Sequence, residues 1–574
     1  MIRILILLLL AAGGGACLGD CAWGMSLQAH AFAWPELGHA EFVALGALAG
    51  LALTLAQAAF WRLAFSISSL SGLRFGALGL LPGWAGGLWR LAVRMPVPPP
   101  HDLPARKIQI FMAALLLGGL ALSTAAGLLA LARGRFLERG APRSLALRLF
   151  GLAWIFYLLS GAWTASWHLT GDGPHYLLMT HSLAYDQDLD LTNNYARADW
   201  RRFYDHGELL PQVPPEADGR NFSEHKPLLS LCLALPYRAL GLCGAQWALA
   251  ALAAASAALF FLVMAQLGYS RGQALLGFCL YAFSAPLWIH SQVFLLELSG
   301  ATLFLCFIAS RLGALPPLAA DLVPALLIWL GLRFYVPSAL LALSAAWARP
   351  QKKWLPLGLY ALSLLGGLAL NYSHFGALSP VASYDQRSLG FSAIYQPWMS
   401  YRYMTAILID QQFGWLPFTP AFFLSFLGAL IWWRRRRALF WLMVPLALSY
   451  YALIMGFTMW FGDMAPNRYS VPLMPIYALA AMEVWRSWKG KLAFFAAFSV
   501  NWAFGLGMAV LPWLCYSKYD GKNWILKILS GLLHRDLTLP FPSFMIDKPL
   551  SYLWVPPLLT WGYLLQRHYR RQES

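Results

Sequence analysis

The sequence predicts an all-α polytopic membrane protein, a bundle of roughly 13 transmembrane helices with one large extracytoplasmic loop in its core. Three observations predict it. Apolar runs of about 18 to 25 residues recur along the chain, and in lipid only a backbone that satisfies its own hydrogen bonds survives. Composition agrees, with 59% of residues hydrophobic, 12% charged and a mean hydropathy of +0.56, far from soluble norms. The formal net charge of +17 falls largely in short connections between apolar runs, the positive-inside pattern. That pattern makes the membrane the expected partner and argues against nucleic acid, while the basic balance is compatible with an anionic lipid-linked substrate.

Taken in order, residues 1–145 hold extra N-terminal helices. A short first span over 1–19 keeps Arg3 in the cytoplasm and reads as uncleaved, the alternative being a lipoprotein-like cleavage site at GGGAC, Gly13 to Cys17; apolar runs follow at 42–66, 75–94 and 109–132. MPVPPPHDLP, residues 95–104, is a stiff connector whose prolines exclude a helix interior. The core spans 146–515. The basic stretch 133–148 is cytoplasmic, and a span at 149–167 then delivers the chain to Gly171 on the other side. Arg271, the cluster Arg349, Lys352 and Lys353, the run Arg434 to Arg437, Arg486 to Lys491 and the tail Arg567 to Arg571 also belong inside. The loops 171–227, 372–416, 461–469 and 516–550, with a bend near Glu297, then lie outside. Residues 516–574 read as an outer segment, a last span and a basic tail.

Two runs are irregular. Residues 314–347 either enter and return as two half-helices broken near Arg333 and Pro337, or form one long kinked helix with a snorkelling arginine. The run 227–242 is short enough for a surface or re-entrant helix. Of the seven cysteines, Cys232, Cys243, Cys279 and Cys306 lie in or beside apolar runs as small hydrophobes, so no disulfide framework is expected. Cys17 and Cys21 could pair on an oxidising side.

The candidate chemistry lies in the polar interval 167–227. Asp172, Asp186, Asp188, Asp190, Asp199, Asp205, Glu208, Glu216, Asp218 and Glu224 fall there, ten of the chain's 25 acidic residues. Asp172, in GDGPHY at a helix exit, could take a proton from an acceptor hydroxyl or simply cap the next helix. Asp186, Asp188 and Asp190 alternate in YDQDLDLTNN, a spacing that suits a divalent cation such as Mg²⁺ or Ca²⁺ or else braces the loop. In SEHKP, Glu224 precedes His225 and Lys226, which could hold phosphate oxygens or face the interface. Glu297 is expensive near membrane depth and wants a cation, for which Arg333 is the natural partner. Asp410, Asp463 and Arg468 complete the outer polar set, Arg468 either suiting bidentate phosphate binding or forming an ordinary loop pair with Asp463. His175 and His181 stand six apart, off one helix face, and read as surface or packing residues. Tyr384, Tyr401 and Trp460 could stack on sugar or isoprene.

The ordered set GDGPHYL, DQDLDLTNNY, SEHKP, FLLELSG (294–300), ILIDQQFGWLPFTP (407–420) and WFGDMAPNRYSVPLMPIYA (460–478) resembles the bacterial GT-C-fold glycosyltransferases. These relate to protein O-mannosyltransferases, aminoarabinose transferases and Rgt-type lipopolysaccharide transferases, and the resemblance covers about 149–487. It implies a GT-C-like core that moves a sugar from a polyprenyl-phosphate donor to an extracytoplasmic glycolipid, lipopolysaccharide or other surface glycan. The expected setting is a bacterial inner membrane with the active site on its periplasmic face, and no cofactor is required. Asp172 matches the base, His225 a residue near the donor phosphate and Glu297 a second acidic position, with Lys226, Arg333 and Arg468 left to hold the leaving phosphate. The chain departs from the pattern at Gly173, where relatives commonly carry Asp-Glu. An inactive relative that binds polyprenyl lipid is therefore a rival reading. A lipid-linked sugar flippase is another, although its charged sites belong at the bilayer midplane and these acids gather in loops on one side.

Overall fold

A computed structural model of the chain describes residues 142–164, 171–204, 207–386, 390–462 and 467–485, with short stretches between 497 and 545. The expected spans before residue 133, Cys17, Cys21, Asp205, Asp463, the 486–491 cluster and the basic tail lie outside the described residues. The chain divides into two compact units, Met1–Arg148 with Ser270–Leu275, and Leu149–Tyr269 with Leu276–Ser574. The site described below belongs wholly to the second.

The protein is mostly helical, and the described residues hold no strand beyond two isolated bridges, Asp190 with Phe222 and Tyr395 with Phe457. The principal helices are α1 (Pro142–Thr164), α2 (Gly173–Tyr185), α3 (Leu228–Gln266), α4 (Glu297–Arg311), α5 (Pro317–Ile328), α6 (Tyr335–Ala348), α7 (Trp354–Phe375), α8 (Ser425–Arg435), α9 (Arg437–Ile454) and α10 (Met474–Val484). Three of them, α3, α7 and α9, are long and apolar enough to cross a membrane.

Chain chemistry explains the interruptions. A straight α3 of 39 residues would run roughly 58 Å, nearly twice a bilayer's apolar thickness. It breaks at Gly241, whose φ of 61° and ψ of −147° only glycine tolerates well. The short run ending near residue 242 is thus a helical piece of its own. Residues 314–347 take the broken form. α5 and α6, of 12 and 14 residues, flank a turn in which Gly331 has φ 151° and Leu332–Phe334 form one 3-10 turn, leaving Arg333 in the gap.

Packing fixes that gap. Helix α4 is buried along most of its length and packs against α3, α5 and the 3-10 turn Arg468–Leu473. At its first turn, a Cβ on Gly300 would lie 2.6 Å from the Phe334 ring, so the start of α4 and the α5–α6 break close on each other. Helix α2, at the head of the polar interval, is itself nearly all buried against α3. On the outside, Val336, Leu340, Leu343 and Trp347 make an exposed apolar stripe down α6 at helical spacing, a face suited to lipid. Cys232, Cys243, Cys279 and Cys306 are free thiols.

Candidate active site

Segments far apart in sequence meet at one open cavity of about 120 Å³. Asp172 and Tyr176 begin α2, and Glu224, His225 and Lys226 lead into α3. Arg333 comes from the α5–α6 break, and Arg468 and Tyr469 from the turn before α10. Leu296, Leu330, Ile394, Ile454 and Phe457 supply an apolar wall, and Tyr384 stands beside them.

Asp172 occupies the N-cap position, yet its side chain makes no capping bond. Its backbone carbonyl starts the helix instead, accepting from the His175 and Tyr176 amides at 3.1 Å each. The carboxylate is thereby left for the cavity. One oxygen accepts from Arg468 Nη2 at 2.7 Å, and the other accepts from Gln212 Nε2 at 3.2 Å and lies 3.9 Å from His225 Nε2. Burial on its own would raise the Asp172 carboxyl, but Arg468 and then His225 outweigh it and hold it well below the usual carboxylate range. Asp172 is therefore ionised at neutral pH.

Behind it, charges alternate. Glu297, fully buried at the first turn of α4, accepts from Arg333 Nη1 at 2.9 Å, and its same oxygen lies 3.8 Å from Arg468 Nε. Arg333 and Arg468 both sit over the Tyr469 ring, at 4.6 and 5.2 Å. Glu297 compensates two guanidiniums that would otherwise repel, and removing one member of such a buried set costs about 3–5 kcal/mol. Arg468 is held from the far side as well. Gly462, at φ 63°, passes so close that a Cβ there would lie 2.9 Å from Arg468 Cγ. Lys226, also buried, donates to the Gly367 carbonyl at 3.2 Å and to Asn371 Oδ1, both on α7. Burial pushes its ammonium down to about 8.

The cavity thus collects Asp172, Glu224, His225, Lys226, Arg333 and Arg468, with Glu297 bonded directly behind it. Other expected site residues stand elsewhere. Asp410 is fully buried and does not line the cavity; its oxygens accept from the backbone amides of Gln412, Phe413 and Phe544 at 2.8, 2.9 and 2.7 Å. With Gln411, which bonds the backbone of Thr538, Phe541, Pro542 and Asn523, it clasps the later outer segment to the core. Asp186, Asp188 and Asp190 diverge, accepting from Asn194, from Ser182, and from Thr192 and Asn221 respectively. Among the described residues no group of three or more His, Cys, Asp or Glu side chains is arranged to hold a metal. His175 and His181 are buried and lie 3.2 and 3.3 Å from the Tyr195 and Tyr237 hydroxyls, the packing reading and not the surface one. Trp460 is buried and Tyr401 exposed, and of the three expected stacking aromatics only Tyr384 lines the cavity.

Gln212, Tyr176 and Tyr469 are additions that sequence reasoning missed. Gln212 lies in a proline-flanked stretch with no motif around it. Tyr176 was within reach, since it falls one helical turn after Asp172 and on the same face. At Gly173 a Cβ would meet only the Phe294 carbonyl oxygen at 3.8 Å, an ordinary contact, so packing does not demand glycine there. The chain matches no family model, no curated protein and no solved structure.

Proposed function

We propose that this cavity is the active site of a GT-C-type glycosyltransferase, moving a sugar from a polyprenyl-phosphate donor to a glycolipid or other surface glycan outside the cytoplasm. One observation carries the reading: a single cavity joins the carboxylate of Asp172 to the cationic side chains of Lys226, Arg333 and Arg468. That set suits displacement of a phosphate. The acceptor oxygen attacks the anomeric carbon, and the bond from that carbon to the phosphate oxygen breaks with its electron pair and inversion. The acceptor proton passes to Asp172. Lys226, Arg333 and Arg468 receive the charge that grows on the leaving phosphate. Arg468 links the two halves of the chemistry. A phosphate that takes its guanidinium weakens the hold on Asp172, so the carboxylate becomes more basic when the donor is bound.

Sidedness supports the same reading. Helix α6 runs from the cavity at Arg333 to the basic cluster at Arg349, and α9 runs from Arg437 to cavity-lining Ile454. Helix α7 begins after Lys353 and ends five residues before Pro380, another lining residue. Each therefore has a basic end and a cavity end, as a cytoplasmic and a periplasmic end would require in a bacterial inner membrane carrying roughly 13 spans.

A second reading is a polyprenyl-phosphate binder without turnover. The 2.7 Å pairing of Asp172 with Arg468 favours it, since that pairing keeps the base engaged. The test is a panel of radiolabelled polyprenyl-phosphate sugars offered to purified, reconstituted protein with candidate acceptors. Sugar release from one member supports the transferase. Binding without release selects the second reading, and no binding of any member contradicts both.

A further inference from the structure

Tyr176 lines the cavity one helical turn after Asp172 and is 1% exposed, and among the described residues its buried hydroxyl has no hydrogen-bond partner. The ring cannot easily turn toward another partner. It stacks on the His225 imidazole, with centroids 4.4 Å apart and planes 19° apart. Its backbone is pinned as well, the amide donating to the Asp172 carbonyl at 3.1 Å and the carbonyl accepting from Ser230 Oγ at 2.8 Å. A buried hydroxyl with nothing to bond is costly, and native proteins keep few of them.

We propose that the Tyr176 hydroxyl donates a hydrogen bond to an anionic phosphate oxygen held in the cavity alongside Arg333 and Arg468. This rests on the phosphate-binding reading of the site and adds a neutral donor to its charged ones. The cationic side chains of Lys226, Arg333 and Arg468 that line the same cavity favour an oxyanion over a neutral sugar hydroxyl. The charges that act on Tyr176 are the carboxylates of Asp172 and Glu297 first and the Arg333 guanidinium after them. Both carboxylates already carry guanidinium partners, whereas an entering phosphate would need every donor the cavity can turn to it. Burial and the two carboxylates keep the phenol protonated, so it offers a proton and not a negative charge.

The test uses full-length protein in nanodiscs, wild type beside Tyr176→Phe, which keeps the ring and its stacking on His225. Two probes separate the sources of the phosphate: radiolabelled inorganic phosphate and undecaprenyl phosphate. Thermal unfolding without ligand is recorded in parallel. The proposal expects Tyr176→Phe to bind undecaprenyl phosphate about tenfold more weakly, as loss of a hydrogen bond to a charged group implies, with an unfolding temperature equal to or above wild type. Equal affinities in the two proteins overturn the role of Tyr176 and leave the lipid-donor reading standing. A loss confined to inorganic phosphate, with no lipid phosphate bound by either protein, upholds the tyrosine and overturns the lipid donor. Absence of binding of both probes to wild type overturns the two together.

Discussion

Asp172 and Arg468 stand 296 positions apart in the chain and 2.7 Å apart in space, which is the distance between what a sequence offers and what a site needs. Each was a candidate on its own chemistry, Asp172 as a base and Arg468 as a phosphate ligand. Their pairing was not legible, because no local pattern reports a contact made through the ends of α2 and the turn before α10. The same is true of Lys226, whose type was visible in SEHKP but whose burial against Gly367 and Asn371 was not. That burial has a pH consequence. A lysine pushed down to about 8 carries its charge below that pH and sheds it above, whereas an exposed lysine keeps its charge to about 10.4. The kcat/KM for a phosphate-linked donor, which reports the free enzyme, should therefore fall as pH rises through about 8. In Lys226→Gln that limb should vanish while overall kcat/KM drops. A wild-type profile flat from pH 7 to 10 would mean that Lys226 does not hold the phosphate.

At the scale of elements, the sequence left the 314–347 run open between a break and a kink, and the break is adopted because Gly331 and Leu332–Phe334 leave helical geometry together. That choice sets Arg333 at the cavity instead of mid-helix. Asp410 moved the other way. Its place in ILIDQQFGW put it in the expected outer polar set, yet it proves to be a fully buried acceptor for backbone amides, including those of Gln412, Phe413 and Phe544. The type and order of a polar residue in the sequence do not tell whether it faces a cavity or a neighbouring segment of chain. Asp410→Ala would strand those amides, so it should cost about 1–3 kcal/mol and expose residues 535–545 to limited proteolysis. Its effect on donor binding should be small beside its effect on unfolding temperature. A large loss of donor binding with unchanged stability would return Asp410 to the site.

Over the whole molecule, helical class and apolar character were legible from composition and run length alone, and three helices long and apolar enough to cross a membrane bear out that coarse level. The finer arrangement was legible only as alternatives: the short run 227–242 and a possible break near Arg333 stood out, but hydropathy alone could not say that α3 bends at Gly241 or that α5 and α6 part at Gly331. Of the basic-ended helices, α9 reaches the cavity through Ile454, while α6 begins two residues after its lining residue Arg333 and α7 ends five residues before Pro380. The most direct test is the rate of sugar transfer by reconstituted Asp172→Asn beside wild type, on the donor that wild type accepts, with unfolding temperature measured on both. Asparagine keeps the shape but loses the base and the charge that pairs with Arg468, so transfer should fall by about 100-fold in a protein that still inserts and folds, at a somewhat lower unfolding temperature. Transfer at the wild-type rate would remove Asp172 from the chemistry and contradict the account at its centre.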